Sequence, residues 1–256
     1  MVMLVEFRIP LPMDVSEYYV AQLYAVAEQS KKNTGGGEGI KVLKNEPFDD
    51  ENGKGQYTCK IFSFESRSPG WARPLLPNGC LKFREDAHNC YPNCRTEYKN
   101  EYLGEKLKYV LTSKHIADNG CSENVFNLST EQLKSRSVIY INVADNTEVD
   151  SSKYTPETDP SLCKSEKVDF LPLDKDFSQT FKPIMCCYKL CEISFNYFLV
   201  SSMIERHIRD FVKNFLLDFH RYLICIGDEW KGMTIAELRE HERKTTEELD
   251  RKLPTT

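Results

Sequence analysis

The sequence predicts a single α+β domain in which an antiparallel β-sheet is closed on one side by long α-helices. The first two-thirds of the 256-residue chain alternate apolar and polar residues in short runs separated by turn residues, as half-buried strands do. The last third repeats apolar residues every three or four positions, as amphipathic helices do. We find no internal repeat and no linker, and the length suits one domain with a large core.

The chain begins with a predicted strand and a predicted helix. Residues 2–11 alternate roughly as a strand does, and Asp14 with Glu17 forms a capping-box pattern that begins a helix ending near residue 29. One face of this helix carries an apolar stripe, flanked by Tyr18 and Gln22 and formed by Val15, Tyr19, Leu23 and Val26.

The middle of the chain is predicted to consist of strands and one long loop. Residues 40–83 alternate as strands, with hairpin signals at Asn52-Gly53 and Asn78-Gly79. Residues 150–176 are rich in Ser, Pro, Asp and Lys and predict a long surface loop. Further strands are predicted at residues 95–100, 106–115, 137–143 and 187–195, of which 137–143 has the strongest strand pattern.

Two helices are predicted in the last third. The first is amphipathic, with its apolar residues at Ile204, Ile208, Phe211, Phe215, Phe219, Leu223 and Ile226. The second begins at a capping box formed by Thr234 and Glu237. It has so few apolar residues that we expect it to pack weakly on the rest of the protein. We therefore expect residues 234–253 to act as a releasable, lid-like helix.

Composition narrows the class of protein. The net charge of −5 gives no support for nucleic acid as a partner. No window approaches the roughly 18 apolar residues of a membrane span, and the first residues do not resemble a secretory signal. We therefore expect a cytoplasmic protein whose ten cysteines are reduced.

Metal binding and catalysis have weak signals in this sequence. Two groups of possible ligands, His88 with Cys90 and Cys94, and residues 186–191 with three cysteines, lack the paired spacing of a zinc site, so no metal is predicted. Cys94 with a histidine at 88, 115 or 220 could in principle serve as nucleophile and base. No catalytic motif supports this pairing, and the chain is not expected to be an enzyme.

Thr58 and Lys60 form a polar pair within a predicted strand. Because residues two apart in a strand share a face, these two point to one side, whereas Tyr57, Cys59 and Ile61 point to the other. Such a pair is common on a solvated surface. It also suits the polar end of a cavity that holds a phosphorylated headgroup, and the residues alone leave both interpretations open.

A cluster of bulky apolar residues, Phe195-Asn196-Tyr197-Phe198-Leu199-Val200, precedes the long helix. The cluster is either the end of a strand entering the core or an exposed aromatic tip that dips into a membrane interface.

Several motifs, taken in order, resemble those of the phosphatidylinositol transfer protein family. They include TGGGEG at 34–39, NEPF at 45–48, KGQYTCKI at 54–61, HNCYPNCRT at 88–96 and NFLLDFHRYL at 214–223. The resemblance covers residues 1–253. It implies a concave antiparallel sheet closed by long helices in a START-like, helix-grip fold, so that residues 1–256 form one lipid-transfer domain. This domain would enclose one phospholipid, headgroup innermost, and exchange it at membranes.

The resemblance also implies which residues contact the lipid. The positions that match the inositol-binding set are Thr58, Lys60, Asn89 and Glu242. Those that match the phosphate-binding set are Gln22, Thr96, Ser113 and Lys189, with Ser113 where the family usually has threonine. Cys94 and Phe219 match positions near the headgroup. Tyr197 and Phe198 replace a pair of membrane-docking tryptophans, and Ser165 matches a candidate phosphorylation site.

The function expected from this resemblance is transfer of phosphatidylinositol, and also of phosphatidylcholine, between membranes. The bound phospholipid is cargo, and no cofactor is expected. Two alternatives remain: a lipid sensor that presents phosphatidylinositol to lipid kinases through protein partners, and a thiol-dependent enzyme acting on a lipid.

Overall fold

The computed structural model describes residues 2–34, 39–50, 53–63, 79–152, 154–196 and 201–252. The strands are β1 Met3–Leu11, β2 Ile40–Asp50, β3 Gly53–Ser63, β4 Lys82–Cys90, β5 Asn93–Lys99, β6 Leu107–Ile116, β7 Ser137–Tyr140 and β8 Met185–Phe195. The α-helices are α1 Val15–Lys32, α2 Thr130–Ser135, α3 Phe177–Thr180, α4 Ser201–Cys225, α5 Gly227–Trp230 and α6 Ile235–Lys252.

Within these residues the strands form one eight-stranded sheet in the order β2-β3-β4-β5-β6-β8-β1-β7. Neighbouring strands from β2 to β1 are antiparallel, as predicted. The edge strand β7 runs parallel to β1, so the sheet is mixed rather than purely antiparallel. The α+β class is confirmed, with this correction at one edge.

Strand β7 is shorter than predicted. The alternation over residues 137–143 indicated the strongest strand of the chain, but only Ser137–Tyr140 pairs with β1. Ile141 and Val143 are buried in the core instead. These residues are apolar because they are buried after the chain leaves the sheet. A run of apolar residues is common to buried strands and to buried irregular segments, so the sequence does not distinguish the two.

The two faces of the sheet differ in character. On the outer face, β4, β5, β6 and β8 carry ion pairs between neighbouring side chains: Arg84–Asp86 at 3.0 Å, Arg95–Glu97 at 3.0 Å and Lys108–Glu192 at 3.5 Å. On the inner face, β1 and β8 bury Phe7, Ile9 and Cys187 in the core together with residues of α1 and α4. The helices therefore cover the inner face.

Helix α1 begins where the capping box predicted, because Asp14 accepts a hydrogen bond from the Glu17 backbone N–H over 2.8 Å. Its buried face is not the predicted stripe. Tyr18, Ala21, Tyr24 and Ala25 are buried, whereas Val15, Tyr19, Leu23 and Val26 are only partly buried. Tyr18 sets this rotation, because its hydroxyl contacts Cys187 Sγ of β8 at 3.6 Å and His220 Nε2 of α4 at 3.0 Å.

The predicted surface loop at 150–176 is better anchored than its composition suggested. Val168, Phe170 and Leu173 are buried in the core, and the buried Asp159 pairs with Arg221 of α4 at 3.4 Å. A buried ion pair of this kind orients a segment that has little regular secondary structure.

Helix α6 packs along α1, and its lid-like role stays a prediction. Its capping box is confirmed, because Thr234 N donates to Glu237 Oε2 over 2.8 Å and Glu237 N donates to Thr234 Oγ1 over 3.3 Å. One stripe of the helix is buried, formed by Leu238, Thr245 and Leu249. None of the described helices combines the length and the apolar character needed to cross a bilayer.

Candidate functional site

The register of the sheet brings seven of the predicted residues onto one face. Asn89 lies opposite Cys94, Cys94 opposite Ser113 and Ser113 opposite Lys189, in a single row across β4, β5, β6 and β8. Opposed residues share a face of the sheet. The next row places Thr58 and Thr96 on either side of Ala87, and the row after that places Lys60 opposite Glu85.

This face is the inner one. Lys189 is two residues from Cys187, whose sulfur contacts Tyr18 of α1, and in register with Phe7, which is buried in the core. Polar side chains therefore line the inner face from β3 to β8, under the helices, where apolar residues would be the ordinary choice. The prediction that Thr58 and Lys60 share a face opposite to Tyr57 and Cys59 agrees with the register.

Strand β3 can approach Asn89 closely because Gly55 has no side chain. A Cβ atom at Gly55 would lie 2.1 Å from the Asn89 carbonyl oxygen. Asn89 Oδ1 is itself buried, and no described residue donates a hydrogen bond to it. A buried acceptor without a donor costs about 1–3 kcal/mol, so this site is suited to a ligand hydroxyl.

Lys60 has a carboxylate partner within the same face. Its ammonium lies 3.7 Å from Glu85 Oε1, and both side chains are largely buried. The ring of Tyr98 stacks on Tyr109 at 4.6 Å in the same row. Burial, together with Glu85, raises the pKa of Tyr98 well above its ordinary value, so its hydroxyl stays protonated and able to donate.

Lys189 has no such partner. Its ammonium donates to Ser113 Oγ over 3.1 Å and pairs with no carboxylate in the described part of the chain. Ser113 is almost completely buried, as is Thr96. An ammonium surrounded by hydroxyl groups needs an anion to balance it.

The two histidines nearest to Lys189 carry no charge at neutral pH. Burial, followed by the effect of the Lys189 ammonium, lowers the pKa of His115 to about 2 and that of His220 to about 3. His115 follows Ser113 on the same face and its ring packs edge-on against Tyr18 at 4.9 Å. Both imidazoles are therefore neutral, and Lys189 supplies the positive charge at this position alone.

The helices supply three further predicted residues, Gln22, Phe219 and Glu242. Gln22 is half-buried on α1, one turn after Tyr18, and Phe219 on α4 packs edge-on against His220 at 5.2 Å. Glu242 on α6 accepts a hydrogen bond from Arg239 over 2.6 Å. Among the described residues, no hydrogen bond joins Gln22 or Glu242 to the sheet set.

Cys94 is held as a protonated thiol. Its sulfur lies 3.7 Å from Thr96 Oγ1, and burial raises the pKa of the thiol although Lys189 and Lys60 act in the opposite direction. A thiol of this kind is a poor nucleophile. Within the described ranges, no group of three or more His, Cys, Asp or Glu side chains is arranged to hold a metal ion.

Two further predictions lie away from the sheet. Tyr197 and Phe198 lie outside the described residues. Ser165 Oγ contacts the Asp228 carboxylate of α5 and accepts a hydrogen bond from Val168 N over 2.8 Å. A phosphate on Ser165 would face the Asp228 carboxylate, so modification would have to displace this contact.

Two residues of the site were not predicted, Glu85 and Arg239, and His115 was considered only as a possible base for Cys94. Glu85 and His115 join the set through strand register, which the sequence does not fix. Arg239 has a detectable signal, because it precedes Glu242 by three positions on a predicted helix and such pairs meet.

Comparison with known proteins identifies the family of the chain. A family model described as phosphatidylinositol transfer protein matches residues 2–247. The chain is 42% identical over 250 residues to phosphatidylinositol transfer protein 1 of Dictyostelium discoideum, covering 97% of this chain and 94% of the relative. It is 40% identical over 255 residues to the human phosphatidylinositol transfer protein beta isoform, covering 98% and 94%. Matches of this extent show that the chain belongs to the phosphatidylinositol transfer protein family.

Proposed function

We propose that the protein binds one phosphatidylinositol molecule with its headgroup against the inner face of the sheet, and that it carries this lipid between membranes. The observation that supports this most directly is the charge balance of the face. Lys60 is paired with Glu85, which leaves Lys189, hydrogen-bonded only to Ser113, as the positive charge of this face without a carboxylate partner among the described residues. A phosphodiester carries one negative charge and accepts hydrogen bonds from hydroxyl groups.

The two predicted sets of residues divide the headgroup between them. Ser113, Thr96 and Lys189 offer donors and a positive charge, which suit the phosphate that all phospholipids share. Asn89 offers an unpartnered acceptor, and the Lys60–Glu85 pair offers donors and acceptors to the ring hydroxyls of inositol. Phosphatidylcholine would use the first set only.

Helix α4 supplies an apolar surface suited to the acyl chains. Phe211 and Phe215 are 50% and 54% exposed, although they belong to the apolar stripe that the sequence predicts. The neighbouring Val212 and Leu216 are buried. We assign the acyl chains to the uncovered part of this stripe, because aromatic and aliphatic side chains solvate methylene groups.

The first test separates the two sets by substitution. Lys60→Ala should lower phosphatidylinositol transfer between vesicles by about ten-fold, because a charged hydrogen-bond partner of the ring is lost. Transfer of phosphatidylcholine by this variant should be unchanged. Lys189→Gln should lower transfer of both lipids, because the phosphate loses its counter-charge.

The matched control is Lys108→Ala, on the outer face, which removes an exposed ion pair with Glu192. It should transfer both lipids as the parent does. Equal loss of the two lipids in Lys60→Ala, or full activity in Lys189→Gln, would contradict the division. Mass spectrometry of the lipid that co-purifies with the parent identifies the cargo directly.

A further inference from the structure

Helix α6 places Arg239 and Glu242 three residues apart, so their side chains meet on one side of the helix. The guanidinium donates from Nη1 to Glu242 Oε2 over 2.6 Å. No described residue donates a hydrogen bond to Glu242 Oε1. One carboxylate oxygen is thus held by the protein, and the other remains able to accept from a ligand.

The second arm of the guanidinium reaches another helix. Arg239 Nη2 donates to the Tyr19 hydroxyl of α1 over 2.9 Å. The ring of Tyr19 packs against the ring of Tyr91 at 4.6 Å, and the Tyr91 hydroxyl donates to the carbonyl oxygen of Val15. Tyr91 lies in the turn between β4 and β5, two residues after Asn89. Continuous contacts therefore connect Glu242 to the turn that follows Asn89 at the end of β4.

The chemistry of arginine suits this double role. Burial lowers the pKa of Arg239, but the Glu242 carboxylate and the Tyr19 hydroxyl outweigh burial, and the pKa lies above its ordinary value. The side chain therefore keeps its charge. A planar guanidinium can hold two partners in fixed directions at once, which a lysine ammonium on a flexible stem does less well.

On the basis of the proposed function, and of the inositol contact that the family resemblance implies for Glu242, we infer that Arg239 is a positioning residue for the headgroup. It fixes the Glu242 carboxylate relative to the β4–β5 turn and so sets the preference for phosphatidylinositol over phospholipids that lack an inositol ring. Arg239 acts through Glu242 and does not itself contact the lipid. Its loss should change which lipid is bound, and not how much lipid is bound.

The test uses the full chain and the substitution Arg239→Met, which keeps an unbranched apolar stem and removes both hydrogen bonds. Two quantities are measured after incubation with vesicles of equal phosphatidylinositol and phosphatidylcholine content: the total phospholipid bound per protein, and the phosphatidylinositol fraction of that lipid. We expect unchanged total phospholipid and about a ten-fold lower ratio of phosphatidylinositol to phosphatidylcholine, as for loss of one charge-assisted hydrogen bond.

Graded variants distinguish positioning from simple helix docking. Arg239→Lys should restore the ratio in part, because the ammonium can hold one partner but not the planar pair. Tyr19→Phe keeps the pair with Glu242 and removes only the link to α1, so its ratio should lie between those of Arg239→Met and the parent. The matched control is Arg243→Met on the exposed face of the same helix, where Arg243 pairs with Glu240 at 2.7 Å, and its ratio should equal that of the parent.

The variant Glu242→Gln separates this inference from the function on which it rests. If Glu242→Gln lowers the ratio and Arg239→Met does not, the positioning role is overturned and the inositol contact stands. If neither changes the ratio, the inositol contact fails and the inference fails with it. If Arg239→Met lowers total phospholipid as much as phosphatidylinositol, the residue only docks α6. If Arg239→Met does not fold, Tyr19→Phe decides: an unchanged ratio overturns the inference.

Discussion

At the scale of single residues, the inner face shows how burial and charge select a ligand. Lys189 and the hydroxyl of Ser113 face a region in which both nearby imidazoles are neutral. A second positive charge there would favour a doubly charged phosphate ester, whereas one positive charge matches a phosphodiester. Under the proposed function, the neutral state of the histidines would therefore help the face to distinguish among phosphorylated ligands.

This neutral state predicts a pH dependence of stability. The pKa of buried His220 is about 3 in the folded protein, below the ordinary value of roughly 6.5 in an unfolded chain. Below pH 6.5 the unfolded state binds a proton that the folded state does not, so the free energy of unfolding falls as pH decreases. His115, with a folded pKa of about 2, acts in the same direction. Each should contribute a slope of about 1.4 kcal/mol per pH unit between pH 6 and 5.

Urea unfolding at pH 7, 6 and 5 measures this slope. His220→Gln should reduce it by about 1.4 kcal/mol per pH unit, the effect of one proton, whatever the absolute stability of the variant. A parent whose stability is constant from pH 7 to 5 would show that the histidines ionise in the folded state.

At the scale of elements, helix α6 depends on its first turn. Thr234 and Glu237 satisfy two backbone N–H groups that the helix cannot pair internally. Thr234→Ala should cost about 1 kcal/mol of unfolding free energy and increase hydrogen exchange in the first turn of α6. The matched control is Thr246→Ala, because Thr246 Oγ1 bonds the Glu242 carbonyl oxygen within the helix, and alanine is the better helix former there. Exchange that is equal in the two variants would contradict the role of the cap.

The elements also show what the sequence can predict. Helix starts at Asp14 and Thr234 were predictable because capping is local, and strand faces were predictable because alternation is local. The buried side of α1 was not, since Tyr18 is placed by partners on β8 and α4 that are distant in sequence. The length of strand β7 was overestimated because apolar residues such as Ile141 are buried in the core beyond the last residue that pairs with β1.

In the candidate site, too, local features were predictable from the sequence and contacts between distant segments were not. Thr58 and Lys60 could be placed on one face from spacing alone, and the family resemblance supplied Asn89, Thr96, Ser113 and Lys189. Sequence could not show that these positions form adjacent rows, because rows depend on the register between strands. Glu85 was missed for this reason, and its pairing with Lys60 is what leaves Lys189 as the unpaired charge.

At the scale of the whole molecule, one face of the sheet changes from polar to apolar along the strand order. Thr58, Lys60 and Asn89 lie on β3 and β4, whereas Phe7 and Ile9 lie on β1 under the helices. An amphipathic ligand is oriented by such a gradient. A phospholipid with about thirty methylene groups would cost on the order of 20 kcal/mol to expose to water. Under the proposed function, we therefore expect the protein to open against a membrane and not in solution.

This requirement gives a prediction that separates binding from exchange. Tyr197 and Phe198, at the aromatic tip predicted from the sequence, suit insertion into the membrane interface because their rings are amphipathic or apolar. The double variant Tyr197→Ala, Phe198→Ala should keep the bound phospholipid of the parent but transfer it between vesicles at least several-fold more slowly, since loss of the two rings removes apolar area that would be buried in the interface. Tyr102→Ala, which removes a side chain that is 55% exposed elsewhere, is the control and should transfer normally. Transfer by the double variant at the parental rate would place the membrane contact on another part of the surface.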